Sequence, residues 1–448
     1  MTSRRVALGL GIAIIGVACA RRQQSVAASP GEPTFAENVA PILYENCAVC
    51  HRPGGLGPFS VLDYESTKAN VDEMRDRVAL KQMPPWHAEG ARGVFKNDRR
   101  LTDADRNTIL RWIDAGAKSG DLKRLPPAPS FPTSWTIGKP DLVVSMPEEF
   151  TVPASGMVEY QYFEVPVTLT EDKWVDAIEI APGAREVVHH VLVYARPPAP
   201  PAPVTPPAAA PRPAGAPAPA PLFIRKREHA IPPDPPRTQP NGPKGPLGAL
   251  IGTETPGNNV MEFPKGTAMR LRAGTVITFQ MHYTAHGHAM KDRTQVGFRF
   301  AKAMPDEEIF ASQFLNGSLV LPPGAKDVAV PAEIAAGQPV RIWGMMPHTH
   351  LRGTRWQYKL EKPDGTSEII LDVPHYDFNW QTYYMFAKPL EMPAGSKIVS
   401  MAWYDNSASN KSNPDAKQEV RWGDQTWEEM QYTGFLYTVP SRRLRPAP

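Results

Sequence analysis

Nineteen of the chain's 51 prolines fall in one stretch, Pro197 to Pro246, most of them in Ala-Pro repeats. Proline has no amide hydrogen for a sheet ladder or a helix, so this stretch cannot sit in the middle of either and prefers an extended, solvated helix. Strand-like sequence stands on both sides of it and resumes near Leu271. The stretch is therefore expected to be a surface excursion inside one β domain, not a linker between two. The basic run Arg225-Lys226-Arg227 lies within it and reads as a solvated loop. At 448 residues and 42% apolar content the chain is too long for one core and well supplied for several, so two or three domains are expected.

From Asp141 to Tyr437 the sequence is a series of short β-rich runs split by Gly, Pro and Asn, among them Glu159 to Val165, Val187 to Tyr194, Thr275 to Tyr283 and Tyr432 to Tyr437. Such spacing predicts sandwiches or barrels. Between Phe35 and Leu122 the apolar spacing is helical instead. Ala36, Val39, Ile42 and Leu43 repeat at helix spacing, as do Val71, Met74 and Val78, and Thr102 opens a third helix whose stripe is Ile109, Leu110 and Ile113. The expected organisation is a multidomain chain with a helical domain over 35–123, a proline-rich connector over 124–139, a first β domain over 140–305 that carries the insertion 197–246, and a second over 306–448.

Residues 1–28 read as an export signal, with Arg4-Arg5 followed by an uncharged apolar stretch from Val6 to Ala20. Removal through Ala28 takes away four arginines and no acid, so the formal charge falls from +3 to −1. Cys19, at the end of the apolar stretch, is a candidate for lipid anchoring instead of simple cleavage. A periplasmic or cell-envelope location follows from either. The near-neutral charge gives no reason to expect nucleic acid as a partner, and the glycine loops and serine elbows of nucleotide binders and hydrolases are missing from the sequence.

Cys47-Ala48-Val49-Cys50-His51 is a haem-attachment box, in which two thiols three positions apart form thioether links and the next residue, His51, reaches the iron. The only other cysteine is Cys19, so no thiol is left for a zinc site or a structural disulfide. Met83, held in a loop by Pro84 and Pro85, is the favoured second iron ligand, with His87 as its rival. Three helices around a covalent haem is the plan of a small cytochrome c.

Three further histidine groups suit a metal. His348 and His350 are two apart, so on a strand both leave the same face, and Met430 offers a soft thioether that favours copper over zinc or magnesium. The alternative for the pair is hydrogen bonding at a sheet surface. His189 and His190 are adjacent, so an ideal strand sends them to opposite faces, and joint ligation needs a bulge or a strand end. His282 in Gln280-Met281-His282-Tyr283 is ambiguous alone, and His286 and His288 are either surface residues or spare contacts.

Taken in order, the His-His pair, Gln-Met-His-Tyr, His-Thr-His and Glu428-Glu429-Met430 resemble the copper type II ascorbate-dependent monooxygenases, over roughly residues 140 to 439. The resemblance implies two all-β jelly-roll sandwich domains facing each other, an electron-transferring copper on His189, His190 and His282, and an oxygen-activating copper on His348, His350 and Met430. It also implies an organic substrate, O2 and an external electron donor, ascorbate-like or a redox protein. The chain departs from the family's animal members in having no cysteine in the β region and in carrying the Ala-Pro insertion. With the helical segment in front, the whole reads as a cytochrome c domain fused to a copper monooxygenase, the haem feeding electrons to copper. The alternative is an electron-transfer or copper-handling protein without substrate turnover.

Overall fold

A computed structural model describes residues 31–131, 134–198, 220–230, 247–255 and 259–444. The expected signal segment, with Cys19, and most of the Ala-Pro insertion lie outside these residues. The described chain is dominated by β-sheet. Its strands form where the sequence alternates, as in Val328–Ala336, which buries Val330, Ala332, Ile334 and Ala336, and Lys397–Tyr404, which buries Ile398, Ser400, Ala402 and Tyr404.

One nine-stranded sheet runs through both halves. Its order is Leu142–Ser145, Gln295–Phe300, Lys173–Ala181, Thr267–Leu271, Glu307–Leu315, Tyr432–Arg443, Val340–His348 and Tyr384–Met392, with Val260–Glu262 also paired to Lys173–Ala181. The halves join at a single short parallel pairing, Glu307 with Thr267 and Glu308 with Ala268. A four-stranded sheet, Gln161–Pro166, Val276–Tyr283, Val188–Arg196 and Ala249–Glu254, covers the first half, and Phe163, Val193, Ile277 and Phe279 pack there against Val175, Ile178, Val296 and Phe298. A five-stranded sheet, Ser367–Val373, Gly353–Glu361, Lys397–Tyr404, Val328–Ala336 and Phe223–Arg225, covers the second, with Ile334, Trp356 and Tyr358 against Ile342 and Phe435. Two sandwiches thus share one sheet.

The last strand of that second layer corrects the reading of the insertion. Leu222-Phe223-Ile224 is an apolar island among prolines, and it adds an edge strand to the second sandwich, with Ile334 opposite Arg225 and Ala336 opposite Phe223. Phe223 meets Phe435 and Tyr437 edge-on at 5.3 and 4.9 Å. The basic run is docked as well, Arg225 donating to Ser312 Oγ at 2.9 Å and Lys226 pairing with Glu333 at 3.3 Å. Proline bars a central strand but not a sheet edge, where one side needs no partner.

The α-helices, Ala40–Asn46, Tyr64–Ala69, Val71–Ala79 and Asp103–Asp114, enclose a small core of Phe35, Val39, Leu43, Met74, Val78, Ile109 and Trp112. Thr102 Oγ1 accepts from the Asp105 amide at 3.0 Å, capping the last of them. A separate all-α domain over 35–123 is nevertheless not evident. After Met83 the chain leaves the helices and packs Trp86, Ala88 and Phe95 into the core of the second sandwich. Trp86 lies edge-on to Tyr384 at 5.1 Å, Phe95 stacks on Phe386 at 5.4 Å, and Lys96 donates to the Met385 carbonyl at 2.7 Å. Short helices cannot cover two such aromatics, each worth roughly 1.5–3 kcal/mol on burial, so the segment straps the helical and β parts together.

Candidate metal centre

The strands Val188–Arg196 and Val276–Tyr283 pair with His190 opposite His282 and Val188 opposite Tyr283. His189 is therefore an extra residue, a β-bulge, and the bulge is what lets two adjacent histidines turn to one side. The expectation that one would face the core and the other solvent gives way here. The Nδ1 atoms of His189 and His190 are 3.1 Å apart, and those of His282 and His190 are 3.3 Å apart. All three residues can offer a ligand atom within 4.8 Å of one another.

Each outward nitrogen of this trio has its own neighbour. Asn379 Oδ1 is 3.0 Å from His189 Nε2, Tyr160 Oη is 3.4 Å from His190 Nε2, and Thr426 Oγ1 is 3.5 Å from His282 Nε2. With Nε2 so engaged, Nδ1 is the nitrogen left to bind an ion, as outer hydrogen bonds commonly arrange for metal-bound histidine. Burial, reinforced by the other imidazoles, drives the His190 pKa well below its ordinary value, and burial together with His189 pushes His282 down to about 3. The rings are kept neutral, the form in which imidazole binds a metal.

His348 ends the strand Val340–His348, and His350 lies in the turn that follows, the two rings 5.1 Å apart. Here the engaged nitrogens are the opposite ones. His348 Nδ1 is 2.7 Å from Gln381 Oε1 and His350 Nδ1 is 3.1 Å from the Glu428 carbonyl, which leaves both Nε2 atoms available. Burial pushes His348 down to about 4 and His350 well below its ordinary value. The fully buried Glu429 carboxylate fixes the turn, accepting from the amides of His350 at 2.8 Å, Arg352 at 2.6 Å and Met430 at 3.2 Å. Met430 sits two residues before Tyr432, the strand partner of His348, and Tyr404 Oη donates to its carbonyl at 2.7 Å. Its backbone is thereby set beside the pair. A Cβ at position 353 would run into the Thr349 side chain, so the turn requires Gly353.

The trio and the pair meet at one ring. The Phe378 centroid is 5.5, 5.8 and 6.0 Å from those of His189, His190 and His282, and 6.4 and 5.9 Å from those of His348 and His350. Phe378 belongs to the loop between the strands Ser367–Val373 and Tyr384–Met392. The same loop supplies Asn379 to His189 and Gln381 to His348, and Tyr376 Oη donates to the Thr349 carbonyl at 2.9 Å. It is also tied to the first sandwich, Thr255 Oγ1 donating to the Gln381 carbonyl at 3.1 Å. Sequence reasoning missed Phe378, Asn379, Gln381, Tyr160 and Thr426, because nothing in a Phe-Asn-Trp-Gln loop distinguishes it before folding. His286 and His288 are exposed, their rings 6.1 Å apart, and are not part of the trio.

In the helical part, Cys47 and Cys50 are unpaired thiols, Cys47 pushed up to about 12 by burial and the nearby Cys50. His51 Nδ1 lies 3.2 Å from the Phe59 carbonyl, so its Nε2 is free for a ligand, and a side chain at Gly57 would strike the ring. Met83 is half-buried just beyond the helix Val71–Ala79, its amide bonded to the Arg77 carbonyl. Burial lowers the His87 pKa, opposed by Asp377 in the loop that carries Phe378. The positive charges of Arg99, Arg52 and Arg185 act on the Cys50 thiol, and Arg185 stands four residues before His189.

Residues 325–432 match the family model described as copper type II ascorbate-dependent monooxygenase, C-terminal domain. The match includes His348, His350 and Met430. No curated protein matches the chain. Among solved structures, one of infectious bursal disease virus, Gx strain, is 8% identical over 68% of this chain and 75% of that one, with a TM-score of 0.19. The VP2 subviral particle of infectious bursal disease virus is 10% identical over 69% and 74%, with a TM-score of 0.18. Likenesses this remote carry no argument about fold or function.

Proposed function

We propose that the chain is an exported, haem- and copper-dependent monooxygenase. It inserts one atom of O2 into a C–H bond of an organic substrate and reduces the other to water, using two electrons and two protons from outside the substrate. The observation that carries this reading is the arrangement of five imidazoles, three and two, around Phe378, with the outward nitrogen of each ring engaged by a neighbour. The family match over the segment that holds the pair supports it independently.

His189, His190 and His282 would hold one copper, and His348, His350 and Met430 the other, the thioether favouring copper over zinc. When bound, the two coppers supply one-electron cycling and oxygen activation, and the haem supplies single electrons. The chain's own contribution is to keep five rings neutral, to fix which nitrogen of each points inward, and to set the Phe378 ring against both groups. Cys47, Cys50 and His51 would attach the haem, with Met83 as the second iron ligand, since Trp86 and Ala88 on either side of His87 pack into the core of the second sandwich. The external donor is ascorbate-like or a redox protein, and the location is the periplasm or cell envelope.

Metal analysis with an absorption spectrum, followed by oxygen uptake coupled to a hydroxylated product, tests the reading. Copper on both histidine groups, covalent haem and product are expected, with Met430→Ala keeping copper on the trio while losing product. Copper without product would leave an electron-transfer or copper-handling protein, and histidines that stay empty in excess copper would overturn the copper reading altogether. In anaerobic stopped-flow, reduced haem that stays reduced when Cu(II) is added overturns the electron route.

A further inference from the structure

A cavity of about 540 Å³ opens along the seam between the two sandwiches, within the roughly 300–1,000 Å³ of small-molecule sites. One wall is the segment Ala154 to Val158 with the turn after Tyr283, and the other is Leu351, Pro414, Thr426 and Trp427. It reaches His282 of the trio, while Leu351 adjoins His350 and Trp427 stands three residues before Met430. The cavity therefore touches the surroundings of both histidine groups.

Among the described residues its lining contains no Asp, Glu, Lys or Arg. Of the charged residues next to the lining in sequence, Glu159, which is exposed, and Asp415, which accepts from the Lys417 amide, are not among the lining residues, and the others are engaged elsewhere. Arg352 donates to Asn406 Oδ1 and to the Trp427 carbonyl, Glu429 accepts the three amides described above, and Glu428 accepts from the Gln425 amide at 2.9 Å. The Tyr283 hydroxyl donates to Asp292 at 2.9 Å. In the metal-free chain a carboxylate or ammonium entering this space would lose water and gain no counter-charge from the lining side chains, which is costly. The wall is also preformed. Gly287 donates to the Ala154 carbonyl at 2.9 Å, Met157 and Thr284 form a bridge, and Gly156 and Gly287 take positive φ values of 96° and 84° that other residues rarely adopt. Met157, 73% exposed, stands among the lining residues as an adaptable thioether.

We infer that this seam cavity is the substrate site and that it takes an uncharged, largely apolar organic molecule, oriented by hydroxyls such as that of Thr426 and not by an ion pair. The substrate role rests on the monooxygenase reading, and the charge selectivity is separable from it.

The test is calorimetric binding to the full metal-free chain, in which no metal charge acts on the ions, of three probes on one skeleton: 3-phenylpropan-1-ol, 3-phenylpropanoate and 3-phenylpropylammonium. The alcohol is expected to bind roughly tenfold or more tightly than either ion, because neither ion finds a partner charge. The variant Met157→Arg, which places a positive charge in the lining, is expected to raise affinity for the carboxylate several-fold relative to the alcohol. Equal or tighter binding of either ion, no binding of the alcohol, or no response of the carboxylate to Met157→Arg would overturn the inference. Failure of the monooxygenase reading would appear instead as absent product with these binding preferences intact.

Discussion

Asn379 Oδ1 lies 3.0 Å from the outer nitrogen of His189, although 190 positions separate the two residues and they belong to different sandwiches. One sandwich thus sets the orientation of a candidate ligand on the other. Asn379→Ala should lower copper affinity at the trio by about 10–100-fold and spare the site at His348 and His350. Gln381→Ala should do the reverse. Chelator competition monitored separately for each site checks both, and equal weakening of the two sites by either variant would contradict the assignment.

Phe378 is 7% exposed and touches all five rings. Phe378→Ala should destabilise the metal-free protein by about 3–5 kcal/mol in urea unfolding, the usual cost of emptying a buried aromatic position. Phe378→Leu should retain most of that stability. A cost below about 1 kcal/mol for the alanine variant would mean that the ring is not packed as described.

Acid should destabilise the metal-free protein through its histidines. Burial sets His348 at about 4, and burial with His189 sets His282 at about 3, whereas unfolded histidine titrates near 6.5. Between those values the unfolded chain holds protons that the folded chain does not, so stability falls as pH drops below about 6.5. His348→Gln should flatten that part of the unfolding profile.

Glu254 should act in the opposite sense. Burial raises it to about 8, and its Oε2 has no hydrogen-bond partner. The folded chain keeps this proton after the unfolded chain has lost it near pH 4.5, so its contribution declines as pH rises toward 8. Glu254→Gln should remove this contribution to the slope between about pH 4.5 and 8, and an unchanged slope there would count against a buried acid.

Glu429 holds the amides on both sides of the His-Thr-His turn and of Met430. Glu429→Ala leaves the amides of His350, Arg352 and Met430 without their acceptor, and about 3 kcal/mol or more of stability should be lost with copper binding at His348 and His350. Glu429→Gln, which keeps an acceptor, should lose less. Unfolding curves and a metal count distinguish the two.

Much of this arrangement was legible in the residues themselves. The strand runs, the Thr102 cap and the donor atoms follow from local chemistry, since alternation, capping and ligand softness are properties of a few neighbouring side chains. The bulge at His189 was not legible, because it is a register shift defined only against the partner strand that carries His282. The docking of Leu222-Phe223-Ile224 was hidden by the prolines around it, since a sheet edge elsewhere in the chain decides whether such an island is paired.

What the sequence by itself determined is which atoms are available as ligands and which segments cannot be central strands. Tertiary structure alone decided that His190 and His282, 92 positions apart, face each other and that Phe378 stands between the two groups. The physical reason is that convergence depends on strand register and loop docking, which are settled by contacts between distant segments and leave no local periodicity to read.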